Sequence, residues 1–327
     1  MENSFFSSKT ERLDKFLAEK FPSFSRAFLK EQIKLGRILV NEKNIKKPFF
    51  ILREGDRISF SPEFEFSKRT ELQPNPAVKF GVIYENENVI VIDKPAELSV
   101  HPRQKKDGSP LESEIDSTLV SGLLARCPEI KNVGDAPLLR PGIVHRLDKD
   151  TSGVLIVAKN QKSFDWLKEQ FKQRQVQKKY LALTLGEPEN ENGEITQNLA
   201  RSKNDPTKQK IAKDGKIAIT EYRILERFKD YSLLEVRPKT GRLHQIRVHL
   251  AWLGNPVAGD KKYGPTQLAQ SHAQRGGSKK RLAPPGLNRQ FLHAEELKII
   301  LPDGPEKTFQ SPLPKDLKRV LENLREA

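Results

Sequence analysis

The chain has 327 residues, 36% of them hydrophobic, and carries 58 lysines and arginines against 43 acids, a net charge of +15. That length suits about two domains with a sizeable core, and the basic excess points to a polyanion: nucleic acid or an anionic membrane. No apolar run approaches the roughly 20 residues that cross a bilayer, the single cysteine, Cys127, excludes an intrachain disulfide or a multi-cysteine zinc site, and the opening residues lack a basic-then-apolar leader, so a cytoplasmic setting and no membrane partner are expected.

Residues 10–62 read as a small unit. Leu13, Phe16, Leu17 and Phe21 fall at helical spacing. Ser25 can cap a second helix that ends at Gly36. On that helix Arg26, Lys30, Lys34 and Arg37 line one side, and Ala27, Leu29 and Ile33 supply the apolar side. A basic stripe is often only a solvated face; on a compact module of a basic protein it is read here as a phosphate-contacting surface. Ile38–Lys43 and Ile51–Phe60 read as short strands, the latter around a Gly-Asp turn. Residues 63–77, with Pro74 and Pro76 among charges, read as a linker.

A second domain is expected over 78–302. Val82–Tyr84 and Val89–Ile92 are strands, and 103–139 holds a helix and loops. Val154–Val157 is a buried strand, Ser163–Gln173 a helix, and Tyr180–Leu185, Ile195–Leu199, Ile217–Leu225 and Tyr231–Val236 are further strands. His244–Leu253 is a helix stopped by Gly254. Residues 261–289 carry seven lysines and arginines, no acid and four glycines, the composition of a mobile basic loop. Phe291–Ile300 returns to strand. Residues 303–327 form a tail with an amphipathic helix over 313–326. Short strands in meander order with interspersed helices predict an α+β protein, its catalytic domain built on a largely antiparallel mixed sheet flanked by helices, plus a small α/β domain.

Chemistry concentrates in two segments. Residues 140–158 set Asp148 between His145-Arg146 and the small-residue turn Thr151-Ser152-Gly153, with a buried strand behind. An acid at a turn anchored by a strand suits a catalytic group, though the same residue also reads as a turn cap. The second is Thr240-Gly241-Arg242-Leu243-His244-Gln245-Ile246-Arg247-Val248-His249-Leu250. No Gly-x-Gly-x-x-Gly is present, and Gly259–Gly264 is followed by Pro265-Thr266 instead of Lys-Ser/Thr, so a nucleotide loop is absent. His244 and His249 are five apart, on different faces of a helix, and no His-Glu-x-x-His accompanies them, so no metal is expected.

Residues 10–62 resemble the S4 RNA-binding domain, through Glu11–Leu17, Ser25–Lys30, Ile33–Asn41 and Gly55-Asp56. The second domain resembles the Rlu type of pseudouridine synthase. The resemblance runs through Asp93–Ala96, Ser99–Pro102, His145–Asp148, Thr151–Gly153, Lys179–Ala182, Thr240–Leu250, Gly259-Asp260, Tyr263-Gly264 and Leu292–Ala294. Glu97-Leu98 departs from the family's Gly-Leu, and Glu97 sits where a turn calls for positive φ. The resemblance implies an α+β fold, an RNA substrate and isomerisation of uridine without cofactor. It implies Asp148 as the carboxylate near C1′, adding to it or helping to remove the C2′ proton. It implies Arg247 as the guanidinium that keeps this acid ionised in a dry pocket, Tyr180 on the uracil face, and Arg146 in the gap left by the everted base. Arg242 and His145 complete the RNA-binding side. The S4-plus-synthase arrangement resembles the enzymes of large-subunit (23S) ribosomal RNA, and the protein is expected to act as a monomer. Three other readings stand beside this one: a synthase acting on transfer RNA, a non-catalytic S4-type protein that binds RNA or the ribosome, and an RNA or ribonucleoside hydrolase that uses Asp148.

Overall fold

A computed structural model describes residues 4–21, 26–62, 64, 72–103, 111–264 and 283–327. They form two compact units, one of the residues up to 78 with His101–Gly142, the other Lys79–Val100 with Ile143–Ala327. Residues 101–142, assigned from sequence to the 78–302 domain, thus group with the first unit.

The first unit opens with β1 (Ser4–Phe6), β2 (Glu11–Arg12), α1 (Leu13–Lys20) and α2 (Arg26–Lys34). Then come β3 (Ile38–Val40), β4 (Lys43–Ile45), β5 (Ile51–Leu52) and β6 (Arg57–Phe60). An antiparallel sheet runs β1-β6-β3-β4, and β2 pairs β5. The helical spacing does what it predicted: Leu13, Phe16 and Leu17 of α1 and Leu29 and Ile33 of α2 pack on Ile38, Val40, Leu52 and Ile58.

Three features differ from the sequence reading. β1 pairs β6 ahead of residue 10. The strand begun at Ile38 does not run to Lys43 but turns at Asn41 (φ 49°) and Glu42 (φ 66°), a two-residue hairpin of the kind that needs positive φ at both positions. Asn41 holds that turn by donating to Asp56 and accepting from the Arg57 N–H. Phe64, inside the stretch read as linker, packs 4.4 Å from the Phe60 ring, on the core. Ser25, most of the linker and the bulk of the basic loop lie outside the described residues. Within 111–142 the α-helix is α3 (Leu119–Arg126), buried from Leu119 through Leu124.

The second unit is built on one mixed sheet. Its strands are β7 (Gly81–Glu85), β8 (Val89–Lys94), β9 (Ser152–Ala158), β10 (Gln177–Leu185), β11 (Asn192–Arg201), β12 (Gln209–Ile211), β13 (Lys216–Arg227), β14 (Tyr231–Pro238), β15 (Leu292–Ile300) and β16 (Glu306–Gln310). The order is β12-β11-β13-β14-β10-β15-β9-β8-β7, with β16 also on β15. Every pairing is antiparallel except β9 with β15. β9 is buried at every residue, as its unbroken apolar run requires. Among the described residues its helices are α4 (Gln161–Lys172), whose first turn is capped by the Asn160 side chain on the Ser163 N–H, α5 (Gln245–Trp252) and α6 (Lys315–Arg325).

Strand alternation makes the second unit three-layered. Ala182 and Leu234 pack with Ile246 and Leu250 of α5. Their neighbours Leu183 and Leu233 face the other way, onto Leu317, Val320 and Leu321 of α6. The sheet lies between the two helices, and α5 is held rigidly with its N-terminal end at the cleft described next.

Candidate active site

Asp148 sits in the loop before β9, and that loop is held from several sides. Its turn is closed by the Thr151 N–H on the Asp148 carbonyl. The fully buried Lys94 ammonium, at the end of β8, donates to the carbonyls of Pro95, Leu98 and Lys149 at 2.6, 2.8 and 3.0 Å. Burial, only partly opposed by the charges of Asp150, Asp148 and Asp93, pulls its pKa down to about 7. Arg289 donates to the Asp150 carbonyl at 3.0 Å and is itself gripped by Asp316 at the start of α6. Gln290 donates to Thr151. Behind the loop, Gly153 has φ +119°, and a Cβ there would meet the Ala294 carbonyl oxygen at 2.1 Å. Only glycine lets β9 approach β15 so closely, which explains the small-residue turn next to the acid.

The second segment is positioned by Gln245 in the first turn of α5. Its amide accepts from the Thr240 hydroxyl and the Arg242 N–H and donates to Ile219 and Thr220 of β13. Arg247, two residues on, thereby reaches Asp148, donating to Oδ2 at 2.8 Å. Its other two nitrogens grip Asp260 at 2.6 and 2.8 Å. Burial works against the arginine's charge, but the bonds to Asp260 and the charge of Asp148 prevail and keep it more firmly protonated than usual. Burial likewise works against Asp260, and the Arg247 bond outweighs it, holding that carboxyl below the ordinary range.

A cavity of 610 Å³, ample for a nucleotide, opens on this pair. Arg146, Asp148, Lys178, Tyr180, Arg242 and His244 line it, so Arg146 and Asp148 of one segment converge with Arg242 of the other and with Tyr180. Burial, reinforced by the negative charge of Asp148, pushes the Tyr180 pKa well up, so its hydroxyl works as a neutral phenol. Arg146 is exposed on the cavity wall. Arg242 rests its Nε on the Ile217 carbonyl at 3.2 Å. His145 also lines the cavity and is tied into the fold. Its Nε2 accepts the Ile156 N–H at 3.0 Å and its ring stacks on Phe171 at 4.6 Å. Burial, then Lys178, pulls its pKa to about 3, so it braces the strand as a neutral ring. Glu97 takes the positive φ, 63°, that its place in the turn required.

Residues that carried no role in the sequence reading complete the site: Asp260, Lys94, Lys178, His244 and Tyr263. Lys178 was legible as the residue two before Tyr180 on one strand, hence the same side in an unbroken strand. Burial brings its pKa to about 8. On the first unit the basic stripe is more committed than its spacing suggested. Lys30 pairs with the buried Asp14 at 3.5 Å, Lys34 with Glu31 at 3.8 Å, and Arg37 donates to Gln32 at 3.1 Å. The Arg26 side chain lies outside the described set.

An anchored guanidinium against a partly accessible carboxylate, beside a phenol and a basic wall, can stabilise negative charge and present one carboxylate oxygen to an electrophilic carbon. The RNA pseudouridylate synthase family model matches residues 88–252, and the S4 domain model matches 11–58. The "Uncharacterized RNA pseudouridine synthase YlyB" of Bacillus subtilis is 36% identical, over 97% of this chain and 95% of its own. The "Ribosomal large subunit pseudouridine synthase D" of Xanthomonas campestris is 39% identical, over 98% and 91%. Its Escherichia coli K12 namesake is 36% identical, over 96% and 91%. Among solved structures, "Human RNA Pseudouridylate Synthase Domain Containing 4" superposes with a TM-score of 0.54 at 27% identity, covering 75% of this chain and 93% of that one.

Proposed function

The chain belongs to the RNA pseudouridylate synthase family, an isomerase of uridine in RNA, and from that premise we propose that its substrate is large-subunit ribosomal RNA and that Asp148 does the work on the sugar. Two relatives that match almost end to end carry the large subunit in their names, which supports the substrate. The reaction breaks N1–C1′ and forms C5–C1′. The base gains a proton at N1 and releases one from C5, so no oxidant, reductant or energy donor is consumed.

The observation that carries the reading is the Arg247–Asp148 bond, 2.8 Å long, at the floor of a nucleotide-sized cavity. Arg247 occupies Oδ2 and leaves Oδ1 for the sugar, either to add to C1′ or to take the C2′ proton. A preorganised guanidinium of this kind stabilises the charge without reorganising during the reaction. Tyr180 lies against the uracil as a neutral phenol. Arg146, planar and on the cavity wall, takes the place of the everted base and offsets lost stacking worth a few kcal/mol. Arg242 and Lys178 receive the flanking phosphates.

The test is tritium release from 5-tritiated uridine in large-subunit ribosomal RNA and, separately, in transfer RNA. Wild-type protein should release tritium from the former, and Asp148→Asn should lose at least about 1000-fold in rate while keeping its fold. An Asp148→Asn protein of wild-type rate defeats the assignment of the acid. Release from transfer RNA alone defeats the assignment of the substrate.

A further inference from the structure

Resting on that reading of the cleft, we propose that His244 is a positioning residue for Asp148. Its proton is fixed on Nε2 by the hydroxyl of Tyr263, so that an N–H faces the one carboxylate oxygen that Arg247 leaves open. Three observations lead there.

The first is backbone geometry. His244 is the N-cap of α5, yet its backbone is left-handed (φ 55°, ψ 19°) and its side chain makes no capping bond. A non-glycine residue held there stores strain, and such strain concentrates at functional positions. What the conformation achieves is to turn the ring off its own helix and into the cavity that Asp148 lines.

The second is hydrogen-bond accounting. The Tyr263 hydroxyl lies 2.7 Å from the Gln209 backbone nitrogen and 2.7 Å from His244 Nδ1. A backbone N–H can only donate, so the phenol oxygen accepts from Gln209. The phenol has one hydrogen. Were Nδ1 protonated, it too would donate to that oxygen, and the phenol hydrogen would be left to solvent instead of to a ring nitrogen 2.7 Å away. The satisfied arrangement has Tyr263 donating to Nδ1, which leaves the imidazole hydrogen on Nε2. Burial, the neighbouring Arg247 and Lys262 favour the neutral ring over the opposing charges of Asp148 and Asp260, and the pKa falls to about 4.

The third is the target of that hydrogen. His244 Nε2 stands 3.8 Å from Asp148 Oδ1, while Arg247 bonds Oδ2. The two carboxylate oxygens are thereby distinguished: one is saturated by a guanidinium, the other meets a weak, neutral donor that steers it without neutralising it. The gap is longer than a hydrogen bond, so in the resting protein the N–H is aimed at Oδ1 without bonding it, the long geometry common to active sites without substrate. Arg247 lies over the Tyr263 ring at 5.1 Å, so the same tyrosine braces both partners of the acid.

Nitrogen spectra of [15N]histidine-labelled full-length protein read the tautomer directly, with the His244 signals identified by their loss in His244→Asn, a residue that tolerates the left-handed backbone. In wild type Nδ1 is expected unprotonated and Nε2 protonated at neutral pH. Tyr263→Phe removes the lock, and its spectrum should show a mixture of tautomers. In tritium-release assays both variants should lose about 10- to 100-fold in kcat, with KM for RNA within about twofold of wild type, since a merely structural defect would lower the active fraction without moving the tautomer. A protonated Nδ1 in wild type overturns the proposal. So does a Tyr263→Phe protein with an unchanged tautomer and unchanged kcat. A wild-type protein inactive on every RNA would defeat the reading of the cleft, while the spectra would still report the lock.

Discussion

Each unit holds a carboxylate flanked by cations, and the two arrangements are inverted. In the first unit Asp14 is the buried member: its side chain is 0% exposed, while its partners Arg12 and Lys30 are 47% and 42% exposed. In the cleft the arginine is buried, 6% exposed, and Asp148 keeps 17%. Which member is withdrawn from water decides what the charge can do. A buried acid fixes its cations by their heads and organises a helix pair; their outer sides remain wet and available to a polyanion. A buried arginine has to be neutralised by something, and here Asp260, 0% exposed, does that. Arg247 then has one nitrogen to spare for a carboxylate facing a cavity. Asp260 is the true counterpart of Asp14, and Asp148 is the member that the first unit lacks.

The largest effects follow from removing the buried cation. Arg247→Ala strands two carboxylates, one of them fully buried, and should lower stability by about 3–5 kcal/mol, with tritium release falling at least about 1000-fold. Arg247→Lys should recover part of the stability and little of the rate, because an ammonium cannot grip Asp260 bidentately and reach Asp148 as well. The matching change in the first unit, Asp14→Asn, leaves its cations in water and should cost only about 1–3 kcal/mol, with kcat on a short RNA hairpin unchanged. Urea titrations of both variants decide it. Equal losses would mean that the inversion has no energetic content.

How far the sequence reaches is itself uneven between the units. The apolar run of β9 and the spacing of Leu13, Phe16 and Leu17 report burial directly, because burial sets hydrophobic periodicity. Asp148 and Arg247, 99 residues apart, were joined by family resemblance and meet at 2.8 Å. Asp260 was quoted in a motif but carried no role, since a loop acid offers no period from which its partner can be read. The β3–β4 hairpin was missed because Asn41-Glu42 lacks the glycine that usually marks such a turn; Glu42 is carried into positive φ by the pairing on either side. His145 sits in a basic dipeptide, and nothing local says that its ring nitrogen will be taken by the Ile156 N–H.

Lys178 sharpens the comparison through pH. It is a cation in the cleft with no carboxylate partner among the described residues, and burial brings its pKa to about 8. Below that pH it is charged and can hold a phosphate; above it the charge goes. KM for RNA should rise several-fold between about pH 7 and pH 9.5, and Lys178→Met should raise KM at pH 7 and flatten that rise. The stability sign is opposite. With the folded pKa below the unfolded 10.5, the unfolded chain binds more protons between about 8 and 10.5, so the cost of burying the ammonium fades and stability climbs across that window. A KM that ignores pH in wild type would remove Lys178 from the RNA-binding wall.

The smallest effect is expected at an exposed ion pair on the first unit's basic stripe. Lys34 is 60% exposed and meets Glu31 at 3.8 Å, a surface pair one helical turn apart. Such pairs contribute about 0–1 kcal/mol, so Lys34→Ala should move the unfolding midpoint hardly at all and leave kcat on a short RNA untouched. If the stripe does receive phosphates, the change appears instead in the salt dependence of binding to long structured RNA, whose slope should fall by roughly 1 for each phosphate that is no longer neutralised. Glu31→Gln should act in the opposite direction, freeing Lys34 and steepening that slope. A Lys34→Ala protein with an unaltered slope would leave the exposed cations of the first unit as solvated charge, and RNA affinity would then rest on the cleft side alone.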